Sequence, residues 1–267
     1  MYIAGVDIGS ASSKAVIFDG GRIIAHAINA TGAESAASSE RVMKQALEAA
    51  SLRLDDIRYV VSTGYGRVIV PFAHEDVTEL SCHARGAQWL FPSARTVLDM
   101  GGQDCKAIRC DERGRLGDFV MNDKCAAGTG RFLELMAQVL GLPLDAIGGL
   151  SLQATAEVPI SSTCAVFAKS EVSALVRAGR DVRDILAGLH EAIAVRVFTL
   201  LRKVGVEPDF VIAGGIAKNA GVVRRIEQKI GLTALLPPEP QIVGAIGAAL
   251  FAAERVAAGA PERRLAR

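Results

Sequence analysis

Two segments of the sequence carry an aspartate and a lysine at the same spacing, in places where an apolar strand runs into a turn. Asp7 is followed by Lys14, and Asp99 is followed by Lys106, and the second aspartate stands 92 positions after the first. A glycine stands two positions after each aspartate. Carboxylate oxygens suit Mg2+, and a lysine ammonium group can reach a phosphate. The repeated spacing predicts two turns that bind phosphate and a divalent cation.

Three glycine-containing turns follow apolar strands, and the backbone N–H groups of such turns can bind phosphate oxygens. Serine hydroxyls add donors to the first turn, a glutamine to the second, and a lysine and an asparagine to the third. The candidate nucleotide-binding residues are Gly9, Ser10, Ser12, Ser13 and Lys14, then Gly101, Gly102 and Gln103, then Gly214, Gly215, Lys218 and Asn219. Each turn taken singly is also explained as a tight turn with a capping side chain.

Two of the five cysteines, Cys125 and Cys164, precede segments that are predicted to be helical. A thiol at a helix N-terminus has a lowered pKa, which favours the thiolate that binds metals. A [4Fe–4S] cluster needs four thiolates. A two-fold symmetric dimer would supply two from each chain. Free cysteines are also common as small buried apolar residues, so spacing alone leaves both interpretations open.

These residues lie in a chain that alternates apolar strands with helices, which predicts an α/β fold. Strands are predicted at 2–6, 15–18, 22–28, 59–62, 95–98 and 210–213, and helices at 33–50, 129–140, 166–178, 182–204, from about 219, and at 243–253. The matched turns predict a duplication, for which chance similarity of two hairpins is the alternative. We expect two related halves, 1–93 with 242–256 and 94–241, and a cleft between them.

Composition excludes several classes of protein. The 267 residues are 50% hydrophobic and 22% charged, and the net charge is +1, so neither nucleic acid nor an anionic membrane is the expected partner. The apolar run 242–253 is shorter than the roughly 20 residues that cross a bilayer. An odd number of cysteines and the lack of a secretory signal favour a reducing cytoplasm.

His74 and His83 are expected to be solvated histidines on a short surface helix.

The combination of turns resembles the actin, sugar kinase and heat-shock chaperone ATPase superfamily. That resemblance implies duplicated actin-like (ribonuclease H-like) halves with a nucleotide in the cleft between them. Residues 7–14 are similar to the first phosphate loop, 99–103 to the second and 211–219 to the adenosine motif. The resemblance also places Gln241 near the nucleotide. The Gly-x-x-x-x-Gly-Lys-Ser/Thr loop of other nucleotide-binding folds is absent from the sequence.

Segments 121–134 and 159–167 resemble the cluster-ligand motifs of the activators (component A) of 2-hydroxyacyl-CoA dehydratases. That ATPase family also includes subunits of ATP-dependent benzoyl-CoA reductase. The resemblance implies an oxygen-sensitive homodimer with one [4Fe–4S] cluster between Cys125 and Cys164 of both chains, together with ATP or ADP and Mg2+. It implies an electron donor, ferredoxin or flavodoxin, and an acyl-CoA dehydratase or reductase component as acceptor. Three cysteines match no ligand motif and are expected to be packing residues: Cys82, Cys105 and Cys110.

Phosphoryl transfer to water would need Mg2+ held by Asp7 and Asp99, with Gln103 as a candidate for orienting water and Lys14 for stabilising charge. The loop Gly128, Thr129 and Gly130 is expected to line the nucleotide cleft and bind the nucleotide. Because it follows Cys125 closely, the nucleotide and cluster sites are expected to move together. A small-molecule kinase on the same fold is the alternative from another class, although no separate substrate-binding insert is evident. A reductase subunit paired with a related chain is the alternative within the family.

Overall fold

The computed structural model describes residues 1–161 and 164–260 and is a mixed α/β structure with two sheets. Ser162 and Thr163, which belong to the segment around Cys164, lie outside the described residues. The strands are β1 (Tyr2–Ile8), β2 (Ser12–Asp19), β3 (Arg22–Ala30), β4 (Ile57–Thr63), β5 (Glu75–Asp76), β6 (Thr96–Met100), β7 (Cys105–Cys110), β8 (Leu116–Asn122) and β9 (Phe210–Ala213). The helices are α1 (Ser35–Ala50), α2 (Glu79–Leu90), α3 (Gly130–Leu140), α4 (Ala146–Ser151), α5 (Ala165–Arg177), α6 (Val182–Val204), α7 (Ala220–Ile230) and α8 (Val243–Ala257).

The two sheets share one topology. The first has the strand order β3-β2-β1-β4-β5, and the second has the order β8-β7-β6-β9. In each sheet the strand that ends in the turn aspartate pairs antiparallel with the next strand and parallel with a later one. The register places Asp7 opposite Lys14 and Asp99 opposite Lys106. The predicted duplication of the strand-turn-strand unit is confirmed by this common pairing.

The described chain forms two compact units. The first comprises Met1–Ala94, Cys110–Gly117 and the described chain from Pro237 onward, and the second comprises Arg95–Arg109 and Asp118–Leu236. The sequence analysis predicted two halves that act as domains, with a cleft between them. Both the domain roles and the cleft stay predictions. Each unit has its own buried apolar core.

The first unit has three layers, because alternate residues of β1 point to opposite faces of the sheet. Val6 and Ile8 pack toward α1, and Ile3 packs toward α2 and α8. Asp7 therefore lies on the face that α2 and α8 cover, and its side chain is only 5% exposed. A carboxylate in that position needs a polar partner, since burial of an unpaired charge is costly.

The second unit packs α3, α5, α6 and α7 around its sheet. Its longest helix, α6, begins at Val182 and ends at Val204, as predicted. The Asp181 side chain accepts a hydrogen bond from the Arg183 backbone N–H, and Gly205 ends the helix. Leu186, Leu189 and neighbouring apolar residues of α6 are fully buried.

The structure contains elements that the sequence patterns did not predict. They are β5, β8 and α4. The expectation of solvated histidines on a short surface helix is wrong, because α2 is a 12-residue helix that packs against α8 and buries His83. His74 stacks on Tyr59 with ring centroids 4.6 Å apart and accepts a hydrogen bond from the Val60 backbone N–H. Within residues 1–161 and 164–260, no helix is both long and apolar enough to cross a membrane.

Glycines also serve helix packing, in addition to the three predicted turns. A β-carbon at Gly247 on α8 would lie 1.8 Å from the Cys82 carbonyl oxygen on α2. Two helices can approach this closely only where one of them lacks a side chain at the contact. Gly149 on α4 has no atom of another residue within 4 Å of the corresponding position.

We expect Gly247→Ala to lower the free energy of unfolding by about 2 to 3 kcal/mol, because the added methyl group forces α8 away from α2. Gly149→Ala, the matched control in another helix, should leave the stability unchanged or raise it by up to about 1 kcal/mol. Urea unfolding followed by far-ultraviolet circular dichroism measures both variants. Equal stabilities of the two variants would show that the α2–α8 contact can relax.

Candidate nucleotide-binding and cysteine sites

The first turn holds a carboxylate and an ammonium group together at the ends of β1 and β2. Lys14 Nζ donates a hydrogen bond to Asp7 Oδ2 at 3.1 Å, and the side chains are 12% and 5% exposed. The Gly9 backbone N–H donates to the Ser12 carbonyl oxygen at 3.1 Å and closes the turn. Because water screens such a buried pair little, both side chains are held in place.

The three serines of this turn differ in their surroundings. Ser10 and Ser12 are partly exposed. The Ser13 hydroxyl is fully buried and lies 3.0 Å from Thr31 Oγ1, and it accepts a hydrogen bond from Ser38 Oγ at 2.8 Å. The structure corrects the expectation for Ser13: its hydroxyl points to the α1 side of the sheet, so it is used in packing rather than as a phosphate donor.

The second turn repeats the pairing with one additional carboxylate. Lys106 Nζ lies 3.3 Å from Asp99 Oδ2 and 2.8 Å from Asp104 Oδ1. The Gly101 backbone N–H donates to the Asp104 carbonyl oxygen at 3.0 Å, and Gln103 is exposed. Sequence reasoning matched Lys106 to Lys14 but did not single out Asp104, because the first turn has no counterpart to it.

A glycine covers each turn aspartate from the neighbouring parallel strand. Gly64 follows β4 with φ +87°, and a β-carbon there would lie 2.4 Å from Asp7 Oδ1. Gly214 follows β9 with φ +81°, and a β-carbon there would lie 2.8 Å from Asp99 Oδ1. Sequence reasoning found Gly214 and missed Gly64. Gly64 is recognisable as a site residue because it follows β4, the strand that pairs parallel with β1. That pairing is visible only in the structure.

The third turn continues into a short 3-10 helix, Gly215–Lys218, and then into α7. Lys218 is exposed. Asn219 caps α7, because its Oδ1 accepts a hydrogen bond from the Val222 backbone N–H at 3.1 Å. The same Oδ1 lies 3.1 Å from His190 Nε2. The Asn219 side chain is therefore committed to contacts within this unit.

Gln241 lies in the first unit, in the 3-10 helix Pro240–Ile242 that leads into α8. Its backbone N–H donates to Glu239 Oε1 at 3.1 Å, and the residue is partly exposed. This contact fixes the backbone of Gln241.

The two candidate cluster ligands occupy different local structures. Cys164 is the N-cap residue of α5 and is exposed, as expected for a thiol at a helix entrance. Cys125 lies in a loop five residues before α3, whose N-cap is Thr129. The expectation that Cys125 stands at a helix N-terminus is therefore wrong, and the helix dipole acts on it only weakly. The Asn122 side chain fixes this loop, since it donates to the Cys125 carbonyl oxygen at 3.0 Å and accepts from the Cys125 N–H at 3.3 Å.

The other three cysteines are buried in packed environments. Burial raises the pKa of the Cys82 thiol to about 12, and burial also raises the pKa of Cys105. The Cys110 thiol donates a hydrogen bond to the Ala94 carbonyl oxygen, and Sγ lies 3.7 Å from that oxygen. A metal ligand is a thiolate, so burial disfavours Cys82 and Cys105 as ligands at neutral pH.

No group of three or more His, Cys, Asp and Glu side chains among the described residues is placed to hold a metal ion. Cys125 and Cys164 are the cysteines with solvent access, and both belong to the second unit. Two thiolates are half of the set that a [4Fe–4S] cluster requires. The thiol chemistry therefore fits a cluster only if a second chain completes the ligand set.

The start of α3, which follows the loop of Cys125, is hydrogen-bonded to the second turn. The Gly130 backbone N–H donates to the Gly101 carbonyl oxygen at 3.0 Å, and the Arg131 N–H donates to the Gly102 carbonyl oxygen at 2.9 Å. Gly128, with φ +100°, precedes the Thr129 cap and lets the chain turn into α3. The second turn and the start of α3 therefore form one connected element.

The two sheets, with their common strand order, have the fold of the actin-like ATPases and sugar kinases. Within that class, the family model of the BadF/BadG/BcrA/BcrD ATPases matches residues 4–252, and the chain belongs to this family.

Relatives of known identity match almost the whole chain. The activator of lactoyl-CoA dehydratase from Anaerotignum propionicum is 49% identical over 95% of this chain and 98% of its own length. A benzoyl-CoA reductase component from Thauera aromatica is 37% identical over 94% of this chain and 93% of its own length. The solved activator of the 2-hydroxyisocaproyl-CoA dehydratase from Clostridium difficile, with bound ADPNP, superposes with a TM-score of 0.93 and 41% identity over 100% of both chains.

His190 gives a pH-dependent prediction for the third-turn region. Burial lowers the pKa of His190 from 6.5 to about 4, so the unfolded chain binds more protons than the folded one between these values. The stability contribution is present above pH 6.5 and is lost as the pH falls toward 4, a total of about 3 kcal/mol.

Between pH 6.5 and 4, we expect the free energy of unfolding of His190→Gln to fall by about 3 kcal/mol less than that of the wild type. Urea unfolding at a series of pH values measures the difference. His26→Gln, a change at an exposed histidine of β3, is the control and should keep the wild-type pH dependence. A His190→Gln profile parallel to that of the wild type would contradict the assignment.

Proposed function

We propose that this protein is an ATP-hydrolysing activator of a 2-hydroxyacyl-CoA dehydratase. In this proposal it acts in the cytoplasm as a homodimer that shares one [4Fe–4S] cluster. It takes an electron from ferredoxin or flavodoxin and passes it to the dehydratase component. The observation that carries the proposal is the pair of hydrogen bonds from the start of α3 to Gly101 and Gly102, since they connect a phosphate-binding turn to the loop of Cys125.

The nucleotide part of the proposal rests on the two turns. Asp7 and Asp99 would provide carboxylate oxygens for Mg2+, which commonly keeps several waters and takes one or two carboxylates from the protein. Gly64 and Gly214 support this fit, because they leave space at the aspartate oxygens that any side chain would fill. A relative of the same fold was solved with bound ADPNP, which supports an adenine nucleotide as the ligand.

The residues of the two turns would share the work of hydrolysis. The N–H groups of Ser10 and Ser12 at the first turn, and of Gly102 at the second, would bind phosphate oxygens. The N–H groups of Gly9 and Gly101 close the two turns, and these glycines would let the phosphates approach the backbone. Lys14 would stabilise charge on the transferred group, and the exposed Gln103 would orient the attacking water. The backbone of Gly214, Gly215 and Lys218 would contact the adenosine part, with Asn219 fixing the third turn through its cap.

The cysteine part rests on the positions of two thiols. A cluster bound there would supply one-electron transfer. Cys125 and Cys164 would hold it together with the same residues of a second copy. Val166 and Phe167, in the first turn of α5 next to Cys164, are 69% and 68% exposed. Large apolar side chains in that position favour burial against another protein surface, and a second copy would provide it.

The coupling between the sites follows from the contacts of α3. A ligand can shift a conformational equilibrium only if it contacts the two states differently. ATP and ADP would differ in their contacts with the second turn, because the γ-phosphate is present in only one of them. A shift of Gly101 and Gly102 would be transmitted to the Gly130 and Arg131 N–H groups and to the Cys125 loop.

A dehydratase activator is favoured over the alternatives. The lactoyl-CoA dehydratase activator is 49% identical to this chain, against 37% for the benzoyl-CoA reductase component. Both thiols and all three turns are present in one chain, which suits a self-sufficient homodimer. A small-molecule kinase would need an acceptor pocket and a general base beside the γ-phosphate. The sequence shows no separate insert that would bind such an acceptor.

We expect Cys125→Ser and Cys164→Ser each to abolish iron binding, because a cluster that loses two of four thiolates has too few ligands. Anaerobic purification, iron analysis and visible absorption measure the outcome. Cys110→Ala is the control that should keep the wild-type iron content, since its thiol bonds to the Ala94 carbonyl oxygen. Full iron content in either serine variant would refute the cluster assignment.

We expect Lys14→Met to lower the rate of ATP hydrolysis by about 100-fold or more, the usual effect of removing one charge-stabilising donor. Phosphate release under anaerobic conditions measures the rate. Lys44→Met, at a side chain of α1 that is 77% exposed, is the matched control and should hydrolyse ATP as the wild type does. Wild-type hydrolysis by Lys14→Met would exclude the first turn from catalysis.

A further inference from the structure

A buried histidine stands beside the first turn and has no role in the function proposed above. His83 on α2 is 6% exposed. Its Nδ1 lies 2.9 Å from the Glu79 carbonyl oxygen, one helical turn earlier. A carbonyl can only accept a hydrogen bond, so this contact places the proton of the neutral ring on Nδ1 and leaves Nε2 as an acceptor.

Gly244 brings the histidine ring and the Asp7 carboxylate to one place. A β-carbon at Gly244, near the start of α8, would lie 3.1 Å from Asp7 Oδ2 and 3.3 Å from His83 Nε2. It would also lie 2.9 Å from His83 Cε1. The separation of Oδ2 and Nε2 is therefore no more than about two hydrogen-bond lengths, which a single bridging water can span.

A second buried polar group lies on the same face of the sheet. Thr63 is the parallel-strand partner of Asp7, and its side chain is fully buried. Its Oγ1 makes no hydrogen bond to an oxygen or nitrogen atom of the described residues, and its polar neighbour is the Cys82 thiol. Buried hydroxyl groups in proteins nearly always have a partner, and ordered water commonly provides it. Its neighbour Cys82 stays protonated, since burial raises the pKa of that thiol to about 12.

We infer that His83 is a positioning residue for the cation site at Asp7, acting through a water molecule that is bound to the cation. The water would donate one hydrogen bond to His83 Nε2, and Thr63 Oγ1 would face the same hydrated space. Mg2+ keeps several waters when it binds through few carboxylates, so protein groups that accept from those waters fix its location. Gly244 is required because a side chain there would occupy the space between the ring and the carboxylate. The inference rests on the proposed function, since it assumes that Asp7 holds a divalent cation with the nucleotide.

A purely structural role for His83 predicts a different outcome. The Nδ1 contact to Glu79 stabilises the first turn of α2, and its loss would affect folding whether or not a cation is present. A positioning role affects the binding of metal-nucleotide and leaves the binding of the nucleotide alone unchanged. The test therefore compares affinity for ADP with Mn2+ and affinity for ADP in the presence of EDTA.

We expect His83→Leu to weaken binding of Mn2+·ADP by about 10- to 100-fold, as is usual when a group that orients metal-bound ligands is removed. Its affinity for ADP with EDTA should stay within about threefold of the wild type. His83→Gln places an amide near the position of Nε2 and should recover most of the Mn2+·ADP affinity. Isothermal titration calorimetry measures both affinities, and the electron paramagnetic resonance spectrum of Mn2+ reports the cation environment without any turnover.

Gly244→Ala provides a second route that leaves the histidine in place. The added methyl group would lie between the ring and the carboxylate, so we expect a loss of Mn2+·ADP affinity similar to that of His83→Leu. Gly149→Ala is the matched control, since its methyl group meets no neighbouring atom. Iron content should stay at the wild-type level in His83→Leu, His83→Gln and Gly244→Ala, because both candidate cluster ligands belong to the other unit.

The inference is overturned if folded His83→Leu binds Mn2+·ADP as the wild type does, or if it loses affinity equally for ADP with and without metal. It is also overturned if Gly244→Ala retains full Mn2+·ADP affinity. A wild-type protein whose ADP affinity is independent of divalent cations would instead refute the metal part of the proposed function, which is a separate outcome.

Discussion

The structure depends on a buried ion pair between an aspartate at the end of one strand and a lysine on the strand that follows. Asp7 with Lys14, and Asp99 with Lys106, satisfy this constraint at equivalent places in two sheets of one topology. A charge at these positions would be costly without its partner. The hairpin register supplies the partner, because it places the two residues directly opposite each other. Each turn is thereby fixed before any ligand binds.

The space around these ion pairs is set by glycines that come from distant parts of the chain. Gly64 and Gly214 follow parallel strands and cover the aspartates, and Gly244 lies where α8 begins. Gly244 also lets the start of α8 lie close to His83 on α2 and to Asp7 on β1, so this residue serves both packing and the candidate site. A larger residue would disturb the turn and the helix contact together, which links stability to function in the first unit.

In the second unit, backbone hydrogen bonds link the second turn to the start of α3, which follows the Cys125 loop. The start of α3 donates to the carbonyl groups of Gly101 and Gly102, while the opposite side of the loop is fixed by Asn122. Backbone contacts of this kind do not depend on side-chain identity. They would therefore transmit a displacement of the turn in any family member that has this loop geometry, which suits an ATPase that must affect a second site.

The sequence by itself determined the alternation of strands and helices, the duplicated turns and the two candidate ligand cysteines, because strand periodicity, glycine turns and cysteine motifs are local patterns. It led to the family through the same motifs. Tertiary structure decided what lies next to these residues. It buried His83 beside Asp7, turned the Ser13 hydroxyl away from the phosphate side and placed Cys125 in a loop rather than at a helix start. These outcomes depend on contacts of α1, α2 and α8 with the sheet, or on where a helix begins after a loop. Residues far apart in the chain set those contacts, so no local pattern of residues could specify them.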